Sequence, residues 1–176
     1  IDRITEKLEI AVSKGIFGTK MRSVINKASE KGINDVVNQQ FEISQRIVSY
    51  KLIPIIEPEI TISILDKEIA EQILMTAILE NLNKLPNDIK VILKLSLPEI
   101  PNFYFPLINH PNVLRVVALS GGYDQKSALN KLKNNNGVIA SFSRALTEGL
   151  DINQNDEDFN HIIKVSIDDI AMASSN

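Results

Sequence analysis

Five short runs of almost unbroken apolar residues constrain this chain more than any other feature: Ile16–Arg22, Leu52–Glu59, Val91–Leu97, Val113–Ser120 and Gly137–Ser141. They are rich in Val and Ile, and strands covered on both faces carry continuous rather than alternating apolar character, as in a parallel sheet. Amphipathic stretches separate them. Asn34 is a capping type ahead of a helix with Ile33, Val36, Val37, Phe41, Ile43, Ile47 and Val48 on a broad apolar side. Asp66 is placed to cap the next, with Ile69, Ile73, Leu74, Ala77 and Ile78 inward. Shorter helices are expected at Asn102–Ile108, Asp124–Lys133 and Arg144–Leu150, and a longer one over Asp156–Ala173 with Phe159, Ile162, Ile163, Ile167 and Ile170 facing inward. Residues Ala171–Asn176 read as a frayed polar tail. Strand and helix in five rounds mean an α/β fold with a parallel sheet, either doubly wound or a (β/α)8 barrel. No Pro/Gly/Ser-rich linker divides residues 1–176, which are expected to form a single domain.

The position of charge discriminates between the two architectures. The apolar runs end in polar residues: Lys20 and Arg22, Glu57 and Glu59, Lys94 and Ser96, then Ser120-Gly121-Gly122 and Ser141-Phe142-Ser143-Arg144. Side chains two apart on a strand share a face, so each of the first three pairs points one way. In a barrel that direction is inward, at the C-terminal mouth where barrel enzymes place their chemistry. Packing alone gives no reason for five successive polar strand ends, which favours the barrel.

Lys94 stands among Val91, Ile92, Leu93, Leu95 and Leu97. An ammonium in such surroundings finds a carboxylate or gives up its proton. As a neutral amine it is a nucleophile able to form an imine with a ketone; paired to Glu57 or Glu59 it is merely structural. Imine chemistry needs a carboxylate that cycles a proton, and Glu57-Pro58-Glu59 supplies two on one face, whose mutual repulsion lifts at least one apparent pKa. Ser120-Gly121-Gly122 fits a backbone anion nest as well as an ordinary turn, and Arg144 adds a planar donor fork suited to phosphate.

Other chemistries lack their residues. The net charge of −3 argues against nucleic acid or an anionic membrane as partner. No run reaches the roughly 20 apolar residues of a membrane span. There is no cysteine, hence no disulfide framework, which fits a cytoplasmic protein. His110 and His161 are the only histidines and lie in different elements, so no metal site is expected, and no cofactor motif is present. His110 between Asn109 and Pro111 reads as a turn residue, and Gly15 and Gly18 as turn and strand glycines.

In order, G-T-K-M-R at 18–22, I-I-E-P-E at 55–59, L-K-L at 93–95, L-S-G-G at 119–122 and S-F-S-R-A-L at 141–146 resemble class I, Schiff-base-forming fructose-bisphosphate aldolase. The pattern is most similar to the short bacterial branch, in which Met stands between the lysine and the arginine. The resemblance implies a (β/α)8 TIM barrel with these five strands as the fourth to the eighth. It implies a metal-independent, cytoplasmic glycolytic and gluconeogenic lyase that cleaves fructose 1,6-bisphosphate to dihydroxyacetone phosphate and glyceraldehyde 3-phosphate. By position Lys94 resembles the imine-forming lysine and Glu57 the proton acceptor, with Glu59 beside it. Lys20 and Arg22 resemble residues around the scissile bond and distal phosphate. Ser120, Gly121, Gly122, Ser141 and Arg144 resemble the phosphate-binding set at the ketone end.

Two departures stand out. The family's first three strands carry a base aspartate and a further phosphate-binding lysine that nothing here matches, and the chain opens on Ile1. The expectation is a C-terminal portion of the barrel with the N-terminal strands missing. The animal enzymes also end in a tyrosine, where this sequence has Ser174-Ser175-Asn176. A transaldolase-like or other Schiff-base enzyme on another sugar phosphate is the nearest alternative, and a non-catalytic phosphosugar-binding barrel fragment is the alternative outside catalysis. Self-association is left open.

Overall fold

A computed structural model of the chain describes residues 2–176; Ile1 lies outside the described residues. Helices and strands alternate as α1 (Asp2–Ser13), β1 (Gly18–Ile25), α2 (Glu30–Ser49), β2 (Ile53–Ile60), α3 (Lys67–Leu82), β3 (Val91–Ser96), α4 (Phe105–Ile108), β4 (Val113–Leu119), α5 (Gln125–Lys133), β5 (Val138–Ala140) and α6 (Asp156–Ala173). The strands form one parallel sheet in the order β1-β2-β3-β4-β5. A doubly wound sheet reverses direction at a switch point; this one never does. Crossovers of one hand in sequential order put the helices on a single face and leave the other to be enclosed by the sheet's own curl. The sheet is an arc of a (β/α) barrel.

The helix-covered face holds the core. Ile56, Ile60, Leu93, Leu95, Val116, Ala118 and Val138 of the strands pack with Ile33, Val37 and Phe41 of α2 and Ala70, Leu74, Ala77 and Ile78 of α3, all buried. Each full burial of a large aliphatic side chain is worth about 1.5–3 kcal/mol before entropy is counted. The alternate residues of the same strands face the other way: Lys20, Arg22 and Val24, then Ile55, Glu57 and Glu59, then Ile92, Lys94 and Ser96. One period-2 pattern therefore divides each strand between a dry face and a face that carries the charges.

Several local expectations need correction. β1 continues past Arg22 to Ile25, so Lys20 and Arg22 lie within the strand rather than at its end. Ser29, not Asn34, caps α2, its hydroxyl accepting from the Gly32 amide; Asn34 lies inside the helix and donates to the Glu30 carbonyl. Asp66 precedes α3 but makes no side-chain cap, because its carboxylate accepts from the Ala28 amide across the β1–α2 loop. The helix expected at Asn102–Ile108 shrinks to α4, and Arg144–Leu150 forms turns, with Gly149 at φ 83. Ile69, Phe159 and Ile167 are exposed rather than inward.

The tail is not frayed either. α6 runs to Ala173, which is fully buried; the Ser174 hydroxyl accepts from the Ala140 amide at 3.1 Å, and Asn176 accepts from the Gly137 amide at 3.0 Å. Both contacts secure the two ends of β5, the shortest strand.

Candidate active site

Strand register gathers the charged residues. β1 and β2 pair Arg22 with Glu57 and Val24 with Glu59, while β2 and β3 pair Ile55 with Ile92. Two residues further along, Glu57 reaches the level of Lys94. The side chains meet: the Glu57 carboxylate is buried, with Oε1 3.3 Å from Lys94 Nζ and Oε2 2.9 Å from Lys20 Nζ. Lys94 is 16% exposed at its side chain and Lys20 46%, so one ammonium is sheltered and the other open. Lys20 approaches Oε2 off the direction of a hydrogen bond, leaving that buried oxygen charge-compensated but without a directed donor. A buried carboxylate in that condition retains an acceptor site for a further proton-bearing group.

Glu59 has its own cation, accepting from Arg22 Nε at 2.7 Å. The two carboxylates are each compensated rather than facing one another bare, as the sequence suggested. Ser96, on the same face as Lys94, has its hydroxyl spanning the Ile60 carbonyl at 2.7 Å and the Ile60 amide at 3.0 Å. It replaces backbone pairing where the β2–β3 ladder has stopped.

The glycine turn and Arg144 also come together. Gly121 and Gly122 have φ of 65 and 110, a region costly for other residues, and a Cβ built on Gly122 would lie 3.9 Å from Arg144 Nη1. Among the described residues the amides of Gly121 and Gly122 donate to no protein acceptor. Ser120 is buried at the end of β4, and the amide of Ser141 donates to the Ala118 carbonyl at 2.7 Å, seating the next strand's end beside it. Ile62, from the loop after β2, lies over the turn: a Cβ on Gly121 would come within 2.8 Å of it. Free amides and a guanidinium, with the apolar Ile62 packed close to the same turn, form an arrangement able to hold an anion.

Two features escaped the sequence reading. One is a buried network in which Lys67 Nζ meets Glu71, Glu99 Oε1 at 3.0 Å and the Leu97 carbonyl at 2.9 Å. Glu99 also accepts from Lys131 at 2.8 Å and from Tyr123 at 2.9 Å. Burial pushes the Glu99 carboxyl up, but hydrogen bonds from Lys131, Lys67 and Tyr123 outweigh it and bring the pKa to about 2. In Glu71 burial wins over Lys67 and the pKa is raised. The i,i+4 spacing of Lys67 and Glu71 was a legible signal; their meeting with Glu99 was not. The other is Gln40 on α2, 2% exposed, whose amide oxygen accepts from the Glu57 backbone at 2.9 Å. Its signal was a polar residue between Val37, Phe41 and Ser44, where the helical period puts the core.

Among the described residues no three His, Cys, Asp or Glu side chains converge on a point where a metal ion could sit. No helix of the described residues is long and apolar enough to cross a membrane.

Comparison with known proteins gives sequence relatives along almost the whole chain. It is 51% identical over 174 residues to "Fructose-bisphosphate aldolase class 1" of Clostridium acetobutylicum, which covers 99% of this chain and 59% of the relative. The proteins of the same name from Synechocystis and Porphyromonas gingivalis are 53% and 50% identical, with 58% and 56% of their lengths covered. The chain thus spans less than two thirds of the relatives it matches. In structure it is similar to a fructose-bisphosphate aldolase from Plasmodium falciparum, solved as a ternary complex with TRAP and a small-molecule inhibitor. The TM-score is 0.80 at 17% identity, over 99% of this chain and 61% of that one, a likeness of fold. No protein-family model matches.

Proposed function

We propose that the chain belongs to the class 1 fructose-bisphosphate aldolases, as its identity of about half to proteins of that name supports, and that the protein carrying it cleaves fructose 1,6-bisphosphate reversibly through a Schiff base on Lys94. The observation that carries this reading is the buried Glu57 carboxylate set between two ammonium groups, with Lys94 the sheltered one. Residues 1–176 are then the C-terminal portion of one barrel domain. The protein works on a sugar phosphate in the cytoplasm without a metal.

The chemistry follows from proton accounting. Glu57 takes a proton from Lys94, and the free amine adds to the C2 ketone, a second proton passing from the nitrogen to the former carbonyl oxygen to give the carbinolamine. Glu57 returns the proton to the carbinolamine hydroxyl, which leaves as water, and an iminium remains. Glu57, again a carboxylate, removes the C4 hydroxyl proton. The C3–C4 bond breaks, its electron pair flows into the iminium, and glyceraldehyde 3-phosphate departs. The enamine is protonated at carbon and hydrolysed to dihydroxyacetone phosphate. General acid–base assistance of this kind contributes about 10²–10⁴-fold in rate.

The surrounding residues have supporting parts. Lys20 stabilises charge near the scissile bond, Glu59 holds Arg22 by its Nε, and the terminal nitrogens of Arg22 remain for the distal phosphate. Ser120, Gly121, Gly122, Ser141 and Arg144 take the phosphate at the ketone end, so that both ends of the open-chain sugar are fixed while C2 lies within reach of the lysine.

The test is borohydride reduction of the intact protein with dihydroxyacetone phosphate, followed by peptide mapping. The adduct is expected on Lys94 and absent from Lys94→Met. An adduct on Lys20, or none in the unsubstituted protein, would overturn the assignment.

A further inference from the structure

The ladder between β2 and β3 stops just before Glu57, while that between β1 and β2 runs on unbroken. β2 pairs with β3 through Ile55–Ile92 and Ile56–Leu93 only, and contact resumes through the Ser96 hydroxyl at Ile60. Between those points lie Glu57, Pro58 and Glu59, and Pro58 has no N–H to give. The missing donor on the β3 side is that of Pro58; Glu57 stays in the β1 ladder opposite Arg22, its amide on the same side as those of Ile53 and Thr61, which donate to Phe17 and Ile25. The Glu57 amide donates to Gln40 Oε1 at 2.9 Å, and Gln40 Nε2 donates to Ser23 Oγ on β1 at 2.9 Å. The amide orientation is determined by its neighbours: a backbone N–H can only donate, so the Gln40 oxygen faces it and the NH₂ faces the hydroxyl.

We propose that Gln40 is a positioning residue for the reaction, holding the Glu57 backbone from the helix layer so that its carboxylate stays between Lys20 and Lys94. This rests on the reading of Glu57 as the proton carrier. Glu57 must approach Lys94 at one step and substrate hydroxyls at others, so the position of its main chain sets how far its carboxylate reaches. The gap leaves the Glu57–Glu59 segment paired on the β1 side alone, and Gln40 adds a hold on it from the helix layer. Gln40 touches neither lysine and neither reacting atom, so its influence passes entirely through the Glu57 main chain.

The experiment compares Gln40→Met with the unsubstituted intact protein. A thioether has nearly the same length and no donor for Ser23, and it cannot accept well from the Glu57 amide. The expected result is a fall in kcat for fructose 1,6-bisphosphate cleavage of about 10- to 100-fold, the scale of an ångström-sized misplacement. KM should stay within about twofold and dihydroxyacetone phosphate should still be trapped fully on Lys94 at long times, because the phosphate contacts and the nucleophile are intact. An unchanged kcat, or a loss no larger than the loss of folded protein by circular dichroism, overturns the inference. If Gln40→Met does not fold, Ser23→Ala decides. It removes only the other anchor of Gln40, and a smaller loss of kcat at constant KM is expected; full activity overturns the inference. If the unsubstituted protein neither cleaves nor traps, the functional reading fails first and this inference with it. If it does both, a wild-type kcat in the variant defeats the Gln40 role alone.

Discussion

Lys67 has an ammonium with three donors and three acceptors around it, on Glu71, Glu99 and the Leu97 carbonyl. That satisfies a charge which burial would otherwise make very costly. Glu99 completes it and reaches further, to Lys131 on α5 and to Tyr123, which follows the Ser120-Gly121-Gly122 turn directly. The segment after the Lys94 strand and the glycine turn are thereby tied together. A carboxyl whose pKa is depressed on folding, from 4.5 to about 2, contributes stability that is fully present above 4.5 and is lost as the pH falls towards 2. Glu71, raised by burial, works in the opposite sense and loses stability as the pH rises through its titration. Glu99→Gln should therefore lower stability by about 1–3 kcal/mol at neutral pH. The deficit should narrow as the pH falls from 4.5 towards 2. Urea unfolding of both proteins at about pH 7 and about pH 3 measures this; a deficit independent of pH would mean that Glu99 acts through packing and not through charge.

At the scale of elements, most of the strands and the last helix could be read in advance because their signals are local. Five apolar runs became five strands, and Asp156–Ala173 is α6 to the residue. What could not be read depended on contacts between elements. Ser29 and Asn34 are both good caps, and the geometry leaving β1 chooses the earlier one. A helical period says that Ile69, or Phe159 with Ile167, shares a face with core residues; it does not say whether another element covers that residue, and here they are exposed. The charged site was legible in its membership, since Lys20, Glu57 and Lys94 share one face by strand period. The order of pairing was not, because it follows from the register between strands. The C-terminal residues gave the clearest miss, since polar residues at a chain end look idle until their acceptors are located. Asn176 donates to the Leu132 carbonyl at 2.7 Å and accepts from the Gly137 amide. Asn176→Ala should cost about 1 kcal/mol and speed hydrogen exchange at the Gly137 amide, with little change at Leu93 in the core of β3. Unchanged exchange at Gly137 would show that β5 holds its end without the tail.

For the molecule as a whole, the decisive property of the arc is that its charged face is only partly apolar and its sheet is open. Val24 is 40% exposed, and Ile55, Ile92, Val117 and Ile139 are half-buried on that face, with the exposed Arg115 among them. In a closed barrel the interior is a packed core of layered side chains, and these are the residues that would fill it. Among the described residues β1 and β5 each have one hydrogen-bonded neighbour, so the sheet offers two free edges. The relatives are longer, the chain spanning 56–59% of their lengths. Expressed as a separate polypeptide, residues 1–176 should therefore self-associate, since free edges and uncovered apolar surface both favour pairing with another copy. Sedimentation velocity over a range of concentrations should show a weight-average mass that rises with concentration. Cleavage of fructose 1,6-bisphosphate by this polypeptide should be slow even where it is folded, because Glu57 and Lys94 would act on an open face where water competes for every charge they use. A monomer at all concentrations would mean that the exposed face is tolerated as it stands. Turnover matching that of a full-length relative would mean that these five strands hold all the chemistry, with no need for the enclosure that the barrel provides.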